Sequence, residues 1–231
     1  MNEGHIKFLS SPEWAQMLES DLLPWVLSVA RLGDSVLEVG PGPGLTTDLL
    51  RRHAATVTAV EVDPDLAARL AERLAGTNVR VVHADAVDAG LPPGAFSSVT
   101  CFSMLHHMTS PQHQDRLFTE VCRVLQPGGA FLGVDSEDLD RIRQAHVGDT
   151  FNPVDPGTLT ARLEAAGLGD VRIERGEYQF RFVASKAGSD PEAAYQALDL
   201  SAGPKGRATP VQGLRGSRRM GAHSSLTASH R

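Results

Sequence analysis

The chain has 231 residues, of which 41% are hydrophobic and 22% charged, so it can bury a sizeable core and is not a wholly disordered polypeptide. Against 22 lysines and arginines stand 28 aspartates and glutamates, a formal charge of −6 that argues against nucleic acid as the main partner. No run of about 18 apolar residues suggests a membrane span. The first residues lack the basic-then-apolar pattern of a secretory signal, and two cysteines, Cys101 and Cys122, are too few for a disulfide scaffold, so a cytoplasmic location is expected.

Ser11-Pro12-Glu13 reads as a helix start, with a cap, a proline in the first turn and an early acid. Pro24 is expected to break this region into two helices, the second ending near Gly33. Ser35–Val39 is a short apolar run ending in glycines, a buried strand. Residues 45–54 read as helix, 57–60 as strand, 64–74 as helix and 79–82 as a third strand. A fourth strand is expected over 98–102. Ser110-Pro111 caps a helix running to about Leu125. A fifth strand covers 130–134, and a helix over 156–166 stops at Gly167. Residues 171–174 and 178–183 form two strands around Gly176, a hairpin placing at least one antiparallel strand at an edge.

Strands alternating with helices of this length predict an α/β fold with mostly parallel pairing. From Lys186 onward there are seven basic and three acidic residues, and 15 of residues 187–231 are Gly, Ser or Pro. Such a segment buries too little to offset its conformational entropy and reads as a disordered basic tail. The partition is therefore N-terminal helices over 1–32 as a substrate cover, an α/β domain over 33–186, and the tail over 187–231.

In an open parallel sheet, ligands bind beyond the C-terminal strand ends, where the strand order reverses. The first strand ends in Glu38-Val39-Gly40-Pro41-Gly42-Pro43-Gly44. Three glycines at alternate positions let a ligand approach the main chain, and the following helix aims its amides there. The second strand ends in Glu61, placed to accept hydrogen bonds from a ribose diol. The third ends in Asp85-Ala86, where an acid can accept from an adenine amine. Three such features at successive strand ends predict an adenosine-containing ligand. The spacing G-x-G-x-G lacks the third glycine position of dinucleotide sites and the Lys-Ser/Thr of a P-loop. Glu38 would repel a pyrophosphate and suits a ligand with a cationic amino group.

These motifs resemble those of class I S-adenosylmethionine-dependent methyltransferases, of the type 11 kind. Residues 36–44 resemble the first motif, 60–63 the ribose-binding strand end and 83–86 the adenine-contacting one. Residues 96–102 resemble the fourth strand, Met104-Leu105-His106-His107 the segment after it, and 123–129 the turn into the fifth. The resemblance implies a Rossmann-like three-layer sandwich around a seven-stranded sheet, with the last strand inserted antiparallel. It implies S-adenosyl-L-methionine as cofactor. Gly40, Gly42 and Gly44 would face its methionine part, and Glu38 would orient the loop or meet the amino group. Glu61 with Val62 would hold the ribose, Asp85 and Ala86 the adenine, and Phe102 would touch the cofactor past the fourth strand. Phe96-Ser97 departs from the Phe-Asp common in the family.

Residues 38–63 look especially like the ribosomal-RNA adenine dimethyltransferases. However, Phe102-Ser103-Met104-Leu105 lacks the amide–proline–aromatic set with which those enzymes hold a base. The Leu-His-His segment resembles small-molecule methyltransferases instead. A small-molecule acceptor is therefore expected, with RNA modification or a catalytically silent cofactor-binding subunit as the alternatives. His106 and His107 are the candidate catalytic bases. No metal set is assigned: Asp135, Asp138 and Asp140 read as a solvated acidic loop. Cys101 reads as core, and Trp14 and Trp25 as core or lid. The acceptor and the oligomeric state stay open.

Overall fold

A computed structural model describes residues 3–188, so the expected basic tail lies outside the described residues from 189 on. Seven strands, β1 (Ser35–Val39), β2 (Thr56–Glu61), β3 (Val79–His83), β4 (Phe96–Phe102), β5 (Leu125–Ser136), β6 (Leu168–Arg175) and β7 (Gln179–Lys186), form one sheet in the order β3-β2-β1-β4-β5-β7-β6. The first five pair in parallel. β7 runs antiparallel to both β5 and β6. The antiparallel strand therefore lies inside the sheet, and its hairpin partner β6 takes the edge. Phe180, Phe182 and Ala184 are buried on one face and Val183 on the other, as an interior strand covered on both faces requires.

Alternating side chains along the strands build two cores. On one face, Leu37, Val39, Phe131 and Phe182 pack with Leu117, Phe118 and Val121 of one helix and Leu159 and Leu163 of another. On the other, Val36, Val57, Leu132 and Val134 pack with Leu18, Leu22, Trp25 and Val26 from the N-terminal helices and with Leu49 and Leu50. The result is three layers. The helices are α1 (Glu3–Leu9), α2 (Pro12–Met17), α3 (Leu23–Val29), α4 (Leu45–Leu50), α5 (Pro64–Arg73), α6 (Pro111–Val124), α7 (Asp140–Ala145) and α8 (Pro156–Ala165). Among the described residues no helix is long and apolar enough to cross a membrane.

The helix starts follow their chemistry. Ser11, Asp63, Ser110 and Asp155 each cap a helix that opens with proline, their side-chain oxygens accepting amide hydrogens of the first turn. Pro24 does not break its helix. A π-turn, Leu18–Leu22, joins α2 to α3, and the Leu23 amide reaches back five residues to the Leu18 carbonyl. The wider turn seats the proline ring within a continuous helical run. Helices α1 and α7, each six or seven residues long, carry too little periodicity to be predicted. The strand expected over 130–134 extends to twelve residues: Leu125 already pairs with Phe96, and after a register shift Ala130 pairs with Ser98, the glycines between including Gly128 at a left-handed φ of +77°.

Candidate functional site

β1 and β4 are neighbours although β1 and β2 are consecutive, so the strand order reverses between them. A crevice must open there at the carboxyl ends. It holds a cavity of about 540 Å³ framed by the ends of β1 to β4.

The loop after β1 is shaped by left-handed glycines. Gly40 has φ +68° and Gly44 has φ +86°. A Cβ on Gly40 would sit 2.3 Å from Met104 Cγ, and one on Gly44 would sit 2.2 Å from Leu70 Cδ1. Their bare faces therefore receive the segment after β4 and helix α5, respectively. Gly40, Pro41 and Pro43 line the cavity; Gly42 and Gly44 stand behind them and are not part of its wall. Gly44 also leads into α4. Arg73 of α5 grips the loop from outside, donating to the Pro43 and Gly44 carbonyls at 3.1 and 3.2 Å and pairing with Asp48. Sequence reasoning missed Arg73, because only the packing of α5 brings it to a loop some 30 residues away.

Glu38 is buried beneath this loop and outside the cavity wall. It accepts from the hydroxyl of Thr46 and from that of Thr47 at 2.6 Å. Burial raises its pKa to about 7; the two hydroxyls oppose the rise, and the charges of Glu61 and Asp48 add to it. Of the two expected roles, orienting the loop is the one its contacts serve.

Glu61, also buried, does line the cavity. Its Oε2 accepts from the Gly42 amide at 2.9 Å and its Oε1 from the Asp63 amide at 3.0 Å. Each carboxylate oxygen keeps a further lone pair for a ligand hydroxyl. Val62 beside it is 65% exposed on the cavity rim. Asp85 accepts from the Val87 amide at 3.1 Å through one oxygen, and its other lies 3.0 Å from His113 Nε2 of α6. Ala86 follows it on the wall, and Phe102 lines the same cavity. His113, placed by the capped start of α6, lines the cavity and was likewise not singled out from the sequence.

The two candidate bases separate. His107 lines the cavity; His106 is buried behind it with Nδ1 2.5 Å from Asp135 Oδ1. Both rings come from one short 3₁₀ turn, Leu105–His107, after β4. The three acids expected in a solvated loop after the fifth strand do not converge: Asp135 lies within β5, buried against His106, whereas Asp138 pairs with Arg143 at 2.5 Å. Cys101 is fully buried, and burial pushes its thiol pKa up, as befits a core residue. Ser97, where the resemblance led to an expected aspartate, bonds the Leu32 and Ser35 carbonyls and the Ser35 amide, stitching β4 to the start of β1 and the segment before it.

A family model described as a methyltransferase domain matches residues 37–133. Residues 37–133 thus carry the likeness to a methyltransferase domain. Across 154 residues the chain is 37% identical to a ubiquinone biosynthesis O-methyltransferase of Xanthomonas euvesicatoria, covering 59% of this chain and 63% of that one. Over 65 residues it is 49% identical to an rRNA adenine N-6-methyltransferase of Saccharopolyspora erythraea, covering 28% and 17%. The chain thus spans less than two thirds of the length of either relative. Its methyltransferase fold is also that of a SAM-dependent methyltransferase from Aquifex aeolicus, at TM-score 0.61 and 22% identity, covering 80% of this chain and 98% of that one. The match to the rRNA enzyme spans only 65 residues.

Proposed function

We propose that the protein transfers a methyl group from S-adenosyl-L-methionine to a small-molecule acceptor. One observation carries this reading: the cavity at the strand switch point is lined by Glu61, Asp63, Asp85 and Asp149 and, among the described residues, by no lysine or arginine. Such a wall attracts a sulfonium and an ammonium and repels a phosphate backbone.

The residues fit the cofactor. Gly40 leaves main chain at the wall, Glu61 offers lone pairs to a ribose diol, and Asp85 with Ala86 stands at the adenine position. Bound there, the cofactor supplies an activated methyl group, so the protein's share of the work is alignment and exclusion of water. Phe102, Met104, Leu9 and Trp14 give the remaining wall an apolar character suited to a small organic acceptor. Leu9 and Trp14 come from the N-terminal helices, which supports their reading as a cover over the acceptor. His107 is an imidazole on that wall, where an acceptor hydroxyl or amine would be held and its proton received. His106, held by Asp135, acts through its neighbour as a positioning residue.

Calorimetric titration with S-adenosyl-L-methionine, comparing the protein with Glu61→Ala, tests the cofactor. Binding by the first and its loss in the second are expected. Labelled methyl should then enter a metabolite extract and not RNA; incorporation into RNA alone would replace the acceptor class. Binding without transfer to either would favour the silent-subunit alternative.

A further inference from the structure

We propose that His106, His107 and His146 form a binding site for one divalent transition-metal ion, with Zn(II) the best-matched occupant. His106 and His107 lie on the turn after β4, and His146 caps the C-terminal end of α7, about forty residues later. One ligand atom from each lies within 4.8 Å of the others. Their ring centroids are 4.2, 4.9 and 5.2 Å apart. Nothing in the sequence spacing announces the set, because the third member arrives through the loop that follows β5.

The chemistry around the rings assigns their tautomers. His106 Nδ1 faces the Asp135 carboxylate at 2.5 Å, His107 Nδ1 the Thr150 carbonyl at 3.1 Å, and His146 Nδ1 the Ile142 carbonyl at 2.7 Å. All three partners accept hydrogen bonds, so each Nδ1 carries the proton and each Nε2 carries the lone pair. The three Nε2 atoms are shielded from solvent. A carboxylate or carbonyl behind the distal ring nitrogen is the arrangement that orients metal-ligating histidines and strengthens them as donors.

Three imidazoles without a thiolate in the set favour zinc, cobalt, nickel or copper over calcium or magnesium, which take oxygen ligands. Tetrahedral zinc with bonds of about 2.0–2.1 Å sets its nitrogens ~3.4 Å apart, so small side-chain rotations close the cluster around the ion. Phe151 packs against the His146 ring at 4.6 Å and backs the site with an apolar wall. His107 also lines the large cavity, so a fourth coordination position would open toward the acceptor. Resting on the methyltransferase reading, this changes one role in it: with the ion bound, an acceptor hydroxyl held on it would be acidified and lose its proton to solvent water, and His107 would be a ligand in place of the base it is without the ion. Ion binding itself does not depend on that reading.

The test uses the full chain, stripped with a chelator and titrated separately with Co(II) and Zn(II). One equivalent of Co(II) should bind and give the visible absorption of a tetrahedral centre, and Zn(II) should displace it. His146→Gln should abolish that spectrum, and Asp135→Asn should weaken Zn(II) binding about 10–100-fold. His53→Gln, an exposed position outside the cluster, should bind like the original chain. Circular dichroism and S-adenosyl-L-methionine titration of His146→Gln check that the variant is folded. Failure of the original chain to bind either ion overturns the site, as does an unchanged cobalt spectrum in folded His146→Gln. Cofactor binding without metal binding overturns this proposal alone. Metal binding without cofactor binding supports it and overturns the methyltransferase reading instead.

Discussion

Glu61 Oε2 accepts the Gly42 amide hydrogen at 2.9 Å, tying the end of β2 to the loop that leaves β1. The same side chain lines the cavity, so one carboxylate both shapes the loop and faces the ligand. Replacing it by glutamine removes one acceptor and the charge. Hydrogen bonds to a charged group contribute about 1.5–3 kcal/mol, so Glu61→Gln should weaken S-adenosyl-L-methionine binding about 10–100-fold. Calorimetry reads this directly; an unchanged affinity would mean that the carboxylate serves the loop alone.

Glu38 sets a pH dependence of stability. Its pKa rises from 4.5 to about 7 in the folded protein, chiefly through burial. Across that window the native state keeps a proton that the unfolded chain has released. Stability therefore falls as pH rises from 4.5 to 7, by up to about 3 kcal/mol. Glu38→Gln has no such ionisation. Urea denaturation at stepped pH should find the two proteins similar near pH 4.5 and the variant more stable at pH 8. Curves that stay parallel throughout would show that Glu38 ionises in the native state as freely as in the unfolded chain.

Gly40 and Met104 share a space that admits no extra carbon. Gly40→Ala combines a left-handed φ with a Cβ 2.3 Å from Met104 Cγ and 3.1 Å from Met104 Cβ. Backbone strain and overpacking together should cost about 2–4 kcal/mol. Adding Met104→Ala should recover the steric part and leave the backbone part. Thermal melts of the single and double variants measure the split; additive losses would show that the two residues do not compete.

Gly133, by contrast, tests the fold without touching the site. It pairs across the sheet with Phe182, whose ring carbons would stand 2.1 and 2.2 Å from an added Cβ. That ring is locked against Phe131 at 5.1 Å and cannot step aside. Gly133→Ala should destabilise by about 1–3 kcal/mol or more, with cofactor affinity of the folded fraction unchanged. A changed affinity at full folding would mean that the core shift reaches the cavity.

Much of the architecture was legible in the residue pattern. Ser-Pro pairs marked helix starts because capping is local chemistry, and short apolar runs marked buried strands. Pro24 misled because a wider helical turn can absorb a proline, a choice made by the packing of Leu18 and Leu22 on the sheet. The site divided the same way. Glu61, Asp85, Ala86 and Phe102 reached the cavity wall because strand ends at a switch point face one crevice whatever the details. Glu38 and Gly44 turned away, since one had two hydroxyls to bind and the other had to admit Leu70.

By itself, then, the amino-acid order determined the strand–helix alternation, the glycine loop and the carboxylates at successive strand ends. These depend on periodicity and on contacts a few residues apart. Only the tertiary structure decided which glycines the protein needs for its own packing, that Arg73 and His113 reach the site, and that His146 joins His106 and His107. Such meetings span about thirty to forty residues, and their distances follow from how layers pack rather than from any local preference of the chain.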